Sequence, residues 1–125
     1  MKSRREQRAQ VVEILYSLEM NNTNTFEKTE YPFVNEMLEG ILQAQAKIDA
    51  IISDHLVNWT LKRLSMVDRA IIRLATYELY NTDTPAEIII NEALNLTRMF
   101  TDEGDSKAVK FNNRLLDNIK NTLKK

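Results

Sequence analysis

The sequence predicts one all-α domain spanning residues 1–125, with five to seven helices around a common core. Three observations carry this expectation. Apolar residues recur at helical spacing along nearly the whole chain, the alternation of a half-buried strand is absent, and only two Gly and two Pro punctuate 125 residues. At 43% hydrophobic and 28% charged residues the composition is globular. A chain of this length buries roughly two thirds of the surface that its unfolded state exposes.

The elements follow in order. A first helix is expected over about residues 3–22, ending in Asn21, Asn22, Thr23 and Asn24, whose side chains compete with the backbone for hydrogen bonds. A second long segment starts after Tyr31 and Pro32, with Phe33, Val34, Met37, Leu38, Ile41, Leu42, Ala44, Ile48, Ile51 and Ile52 at helical spacing. Gly40 costs that helix about 1 kcal/mol relative to Ala, so a close helix crossing or a break is expected near it. A short helical piece from Asn58 to Ser65 leads into a strong helix from Met66 to Tyr80, with Val67, Ala70, Ile71, Leu74 and Ala75 on one face. In the stretch TDTPAEIII, Thr84 is expected as N-cap, Pro85 as first helical residue and Glu87 as the third, forming a capping box. That helix reaches about Phe100; TDEGDS is then a loop with a second cap at Asp105 or Ser106, and the last helix carries Phe111, Leu115 and Ile119 on one stripe.

Several function classes are excluded at this level. There is no cysteine, hence no disulfide and no thiolate metal site, as suits a reducing cytoplasm. The amino terminus lacks the apolar run of a secretory signal, and no stretch approaches the roughly 18 apolar residues of a membrane span, so a soluble, cytoplasmic protein is expected. His55 is the only histidine and has no second ligand at metal spacing, so it reads as a boundary residue. Glu78 falls on the apolar face of its helix and reads as a structural acid, paired or capped in the core. Trp59 and Tyr31 read as core aromatics at element boundaries, with base stacking as the alternative. No phosphate-cradling Gly loop, nucleophile motif or set-apart carboxylate pair is present, so neither catalysis, a cofactor nor a bound metal is expected.

Net charge is only -1, but it is unevenly spread. Residues 1–8 hold four basic and one acidic side chain, and residues 107–125 hold six basic and one acidic, which leaves the intervening 98 residues at -9. Basic ends on an acidic body fit a polyanion if the fold unites them, and mere solubility if it does not. The arginines of SRREQRAQ sharpen the question. With Arg4 at 0° and about 100° per residue, Arg8 falls near 40° and Arg5 near 100°, while Val11, Leu15, Val12 and Tyr16 fall near -20°, 20°, 80° and 120°. The arginines therefore continue the apolar stripe, one turn beyond the expected edge of the core. Cations at a helix amino terminus also oppose the macrodipole, by a few tenths to about 1 kcal/mol each. Local stability does not explain them, whereas phosphate forking and base stacking would.

The segments SRREQRAQVVEILYSLEM, VDRAIIRLATYEL, TPAEIIINEALNLTRMF and KFNNRLLDNI, in this order and spacing, resemble the NusB family of bacterial transcription antitermination proteins over almost the whole chain. The resemblance implies a small all-helical protein that, with the ribosomal small-subunit protein NusE, binds the boxA RNA of nascent ribosomal transcripts and helps assemble the antitermination complex on RNA polymerase. It implies RNA contacts from Arg4, Arg5 and Arg8, and from Phe100, Asp105, Lys107, Lys110 and Phe111. It places Tyr16 and Asp68 on the surface facing NusE. One departure stands out: the family's FVNG reads Phe111, Asn112, Asn113, Arg114, so an apolar residue is Asn and a glycine is Arg. Two other functions fit the composition, namely a helical interaction module without nucleic acid, and the RNA-recognition domain of an rRNA methyltransferase. If the two basic ends form one patch, the first and last helices should pack side by side, Phe111, Leu115 and Ile119 meeting Val11, Val12 or Leu15.

Overall fold

The run from Met66 to Asn81 carries apolar residues on more than one side, and a helix of that kind must be surrounded. In the computed structural model, which describes residues 1–125, it is the central helix α4 (Met66–Asn81), packed against all five others. These are α1 (Arg4–Met20), α2 (Pro32–Gln43), α3 (Gln45–Asp54), α5 (Ala86–Phe100) and α6 (Lys107–Leu123), with one 3-10 turn at Leu61–Arg63. Ile71, Ile72, Leu74 and Leu79 of α4 are fully buried and meet a core that includes Val11, Leu38, Ile41, Ile52, Ile89, Leu116 and Ile119. At roughly 1.5–3 kcal/mol for each fully buried aliphatic side chain, that core is the main stabilising term.

The local signals explain most boundaries. Ser3 caps α1 through a reciprocal box with Glu6, the Glu6 amide donating to Ser3 Oγ (3.1 Å) and the Ser3 amide to Glu6 Oε1 (2.8 Å). At its other end Asn22 takes the left-handed conformation (φ 54°), and the Thr23 amide donates back to Leu18 O (2.9 Å), a Schellman closure with Asn in the usual place of Gly. Gly40 is the expected close crossing. A Cβ there would lie 2.0 Å from Tyr77 Oη, so the Tyr77 ring packs on bare backbone. The break falls four residues later, at Ala44, and divides the long second segment into α2 and α3.

Four expectations are corrected. Pro85, not Thr84, is the N-cap of α5: its ψ of 138° is extended, and its carbonyl accepts from Ile88 and Ile89 (3.0 and 3.1 Å), so the helix begins at Ala86 and no Thr84 capping box forms. Only Leu61–Arg63 of the Asn58–Ser65 piece is helical: Asn58 adopts a positive φ of 57°, and Thr60 and Leu64 on either side of the turn are extended (ψ 155° and 147°). The inner stripe of α6 is Asn112, Leu115, Leu116 and Ile119; Phe111 lies beside it, 40% exposed. Finally, α1 and α6 do not pack side by side: α1 lies on α4 and α2, and α6 on α5, α4 and α3. The broad apolar surface of α4 occupies the place that α1 was expected to offer.

Candidate nucleic-acid interface

The three amino-terminal arginines share a stripe but meet three different environments. Arg4 is exposed, belongs to no ion pair, and sits with its guanidinium 4.0 Å from the centroid of the Phe33 ring. Arg5 forks onto Glu92 of α5 (3.0 and 3.2 Å) with its side chain 55% exposed. The hydrogen bond and charge of Arg5 hold the Glu92 carboxyl below its ordinary value, and Glu92 in turn raises Arg5. Arg8 is different. It is buried and donates two hydrogen bonds, at 3.1 and 2.9 Å, to the equally buried carboxylate of Glu78.

This corrects the expectation that Arg8 lies beyond the core. Glu78 projects from the inner face of α4 and requires a cation, and Arg8, near 40° on the stripe of α1, is aimed straight at it. A phosphate would reach Arg8 only by breaking that pair. Glu78 was legible as a core acid, paired or capped; that Arg8 is its partner follows only once α1 and α4 are seen to be antiparallel neighbours.

A second group of cations and aromatics lies where α5 ends and α6 begins. Phe100 and Phe111 are partly exposed, and Lys107, Lys110 and Arg114 are exposed and form no ion pair. Asp105, also exposed, accepts from the amide of Lys107, the first residue of α6 (3.1 Å), while the N-cap position itself is Ser106, in the left-handed conformation (φ 61°) and without a side-chain cap bond. Trp59, expected in the core, stands 40% exposed with its ring centroid 6.3 Å from that of Phe111. Between this group and the arginines runs a groove of about 370 Å³ along α5, lined among others by Arg5, Asn91, Glu92, Asn95 and Arg98. The arginine end and the α6 end thus do not pack directly on each other; α5 lies between them, contacting α6 along one side and held to Arg5 through Glu92. Arg98, two residues before Phe100, escaped sequence reasoning because nothing marked its face of α5 as the one that continues from Arg5.

Tyr16 lies apart from both groups, whereas Asp68 is bonded to the end of α5 and the start of α6, beside the second of them. Tyr16 is half-buried on α1, one turn before Glu19, whose carboxylate pairs with Arg69 and, at 3.0 Å, with Arg73; Arg73 also holds Asp49 (2.8 Å). Burial pushes the Glu19 carboxyl up, but the two guanidiniums outweigh it and keep Glu19 below its ordinary value. Asp68, next to Arg69, is half-buried and accepts from Ser65 Oγ (2.9 Å), Thr101 Oγ1 (3.0 Å) and Asn112 Nδ2 (3.3 Å). Asn112 is 1% exposed and its amide also donates to Thr97 Oγ1 (3.1 Å). The departure at Asn112 is therefore an internal polar junction that ties α4, α5 and α6 together, and Asp68 is less free than its wheel position implied.

Residues 3–121 match the model of the NusB family. The chain belongs to that family. Transcription antitermination protein NusB of Bacillus pumilus is 42% identical over 130 residues, covering 97% of each chain, and that of Bacillus subtilis is 39% identical, covering 96% of each. Among solved structures, T. maritima NusB superimposes with a TM-score of 0.83 at 32% identity, covering 96% of this chain and 92% of its own. A structure of the antitermination factors NusB and NusE in complex with double-stranded RNA superimposes with a TM-score of 0.80, covering 95% and 96%; at 23% identity this is a likeness of fold. The six-helix arrangement of this NusB-family chain is thus the fold of those proteins, and none of its helices is long and apolar enough to cross a membrane.

Proposed function

We propose that this chain is a cytoplasmic RNA-binding antitermination adaptor, not an enzyme, that grips a boxA-like single strand of nascent ribosomal RNA together with NusE and brings it to the antitermination complex on RNA polymerase. The observation that carries the reading is near full-length similarity to transcription antitermination proteins NusB, joined to exposed cations without ion-pair partners at Arg4, Lys107 and Lys110 and to partly exposed rings at Phe100 and Phe111. Arg4, Lys107 and Lys110 contact phosphate, Arg5 and Arg98 do so at the α5 groove, and Phe100 and Phe111 stack on bases, with Asp105 ordering the loop that presents Lys107. Arg8 contributes by holding α1 in place rather than by touching RNA. Tyr16 and Asp68, at the other end of the α1–α4 pair, face NusE.

The test is a fluorescence-anisotropy titration of a short boxA-like RNA, with and without NusE, at several salt concentrations. Expected are tighter binding with NusE and a log–log salt slope of about -0.7 for each phosphate neutralised on a single strand. Binding absent under both conditions would leave only the helical interaction module.

A further inference from the structure

The segment between α3 and α4 leaves unusual apolar surface in water. Val57 is 80% exposed and Trp59 40% exposed, although Leu64 of the same segment is buried. The segment is nonetheless anchored, not loose. His55 bonds through Nε2 to Thr122 Oγ1 near the end of α6 (2.7 Å), and Arg69 Nη1 donates to the carbonyls of Leu61, Lys62 and Leu64 (3.3, 3.1 and 2.7 Å). From His55 at Thr122 the chain passes back along α6 to set Trp59 beside Phe111. The Arg63 guanidinium lies 4.5 Å from the centroid of the Trp59 ring, and the two rings are inclined at 58°. Neither ring covers the other, and both remain 40% exposed. Lys107 and Arg114, one turn to either side of Phe111, add positive charge without ion-pair partners.

We infer that Trp59, backed by Arg63 and adjoining Phe111, is a stacking platform for an unpaired base of a single-stranded RNA. An open indole braced by a guanidinium, in a cationic rim, matches a flat, electron-rich ring attached to a polyanion; an apolar protein partner would not call for that rim. A duplex keeps its bases stacked inside and offers the platform no face. The inference rests on the RNA-binding reading above and adds to it Trp59 and Arg63, from the segment before α4, beside the Phe111 of that reading.

Trp59 is the only tryptophan, so excitation at the red edge of its absorption reports on this site alone. A short fluorescein-free boxA-like RNA strand is titrated while tryptophan emission is followed, and binding of a labelled copy is followed separately by anisotropy. Stacking predicts saturable quenching by the single strand but not by the same sequence as a duplex. Trp59→Ala should weaken single-strand binding by roughly 5- to 100-fold, and Trp59→Phe should restore most of it. Far-ultraviolet circular dichroism of both variants establishes that they fold. Normal anisotropy with unquenched emission and an unaltered Trp59→Ala affinity would overturn the platform while leaving the RNA reading intact. Quenching by NusE but not by RNA would also overturn it, and absence of any RNA binding would remove both.

Discussion

Replacing Arg8 by Ala leaves the Glu78 carboxylate inside the protein without a counter-ion. The pair is bidentate at 3.1 and 2.9 Å, and the two side chains are only 7% and 3% exposed, so solvent cannot take over for the missing guanidinium. Removing one partner of such a pair costs about 3–5 kcal/mol, far more than the net worth of the intact pair against an apolar replacement. For a chain between the 100- and 150-residue brackets each kcal/mol shifts Tm by about 4 °C, so Arg8→Ala should melt about 12–20 °C lower. Arg8→Met combined with Glu78→Leu should recover most of that loss, since both ends become apolar together. The assay is thermal unfolding followed by circular dichroism at 222 nm, with RNA affinity measured well below both midpoints. A Tm for Arg8→Ala within about 2 °C of the parent would refute the reasoning. So would a double variant no more stable than the single one.

The remaining predictions concern the surface, acid stability and the junction at Asn112. Arg4→Ala should weaken RNA binding several-fold yet change stability by no more than about 0.5 kcal/mol, as expected away from buried features; a large drop in Tm would place Arg4 in the fold instead. Lys107→Ala with Lys110→Ala should lower the salt slope by about 1.4 units if each lysine neutralises one phosphate of a single strand, and an unchanged slope would show that they do not. Glu19 is held below its ordinary value of 4.5 by Arg69 and Arg73, so it contributes stability that is present above that value and lost as pH falls through its lower folded value. Stability of Glu19→Gln should consequently fall less steeply than that of the parent below pH 4.5, as read by urea unfolding at a series of pH values. Asn112→Leu removes the donor shared by Asp68 and Thr97, and should destabilise by about 1–3 kcal/mol even though the family places an apolar residue here; equal or higher stability would mean that the junction is dispensable.

The helices were legible because their signals are local. Ten apolar residues at helical spacing specify α2 and α3 whatever surrounds them, and Gly40 announced a crossing because no residue with a side chain fits under Tyr77. What escaped was relational. The wheel puts all three arginines on the apolar side of α1, one turn beyond the core, yet Arg8 is buried while Arg4 and Arg5 are exposed, because the sequence does not say that Glu78 lies across from Arg8. The capping box at Thr84 failed by one residue, since Pro85 is as compatible with an extended N-cap as with a first helical position. A lone aromatic at an element boundary reads as core, with base stacking as the alternative, but Trp59 stands in the open on a segment anchored to Thr122 and Arg69.

The placement of buried charge also explains how the candidate surface keeps its shape. Apolar faces can be repacked in more than one way when volume and pattern are kept, whereas a bidentate ion pair or a satisfied amide is met in one register. The central helix α4 carries such contacts at both ends: Glu78 with Arg8 of α1 near its carboxyl end, and Asp68 with Thr101 and Asn112 near its amino end, beside the Arg69 and Arg73 pairs to Glu19. Through them α1, the end of α5 and the start of α6 are all indexed to one rod. The arginines and the α6 cations are then held apart by the length of α5 from Glu92 to Phe100, eight residues or about 12 Å. That exceeds the Debye length of about 8 Å at physiological salt, so the two basic ends barely repel one another in the free protein. No polyanion is needed to hold such a fold together. A strand that reaches from one cluster to the other is nonetheless met at a spacing set in advance by α4 and α5, so binding does not have to order the protein as well.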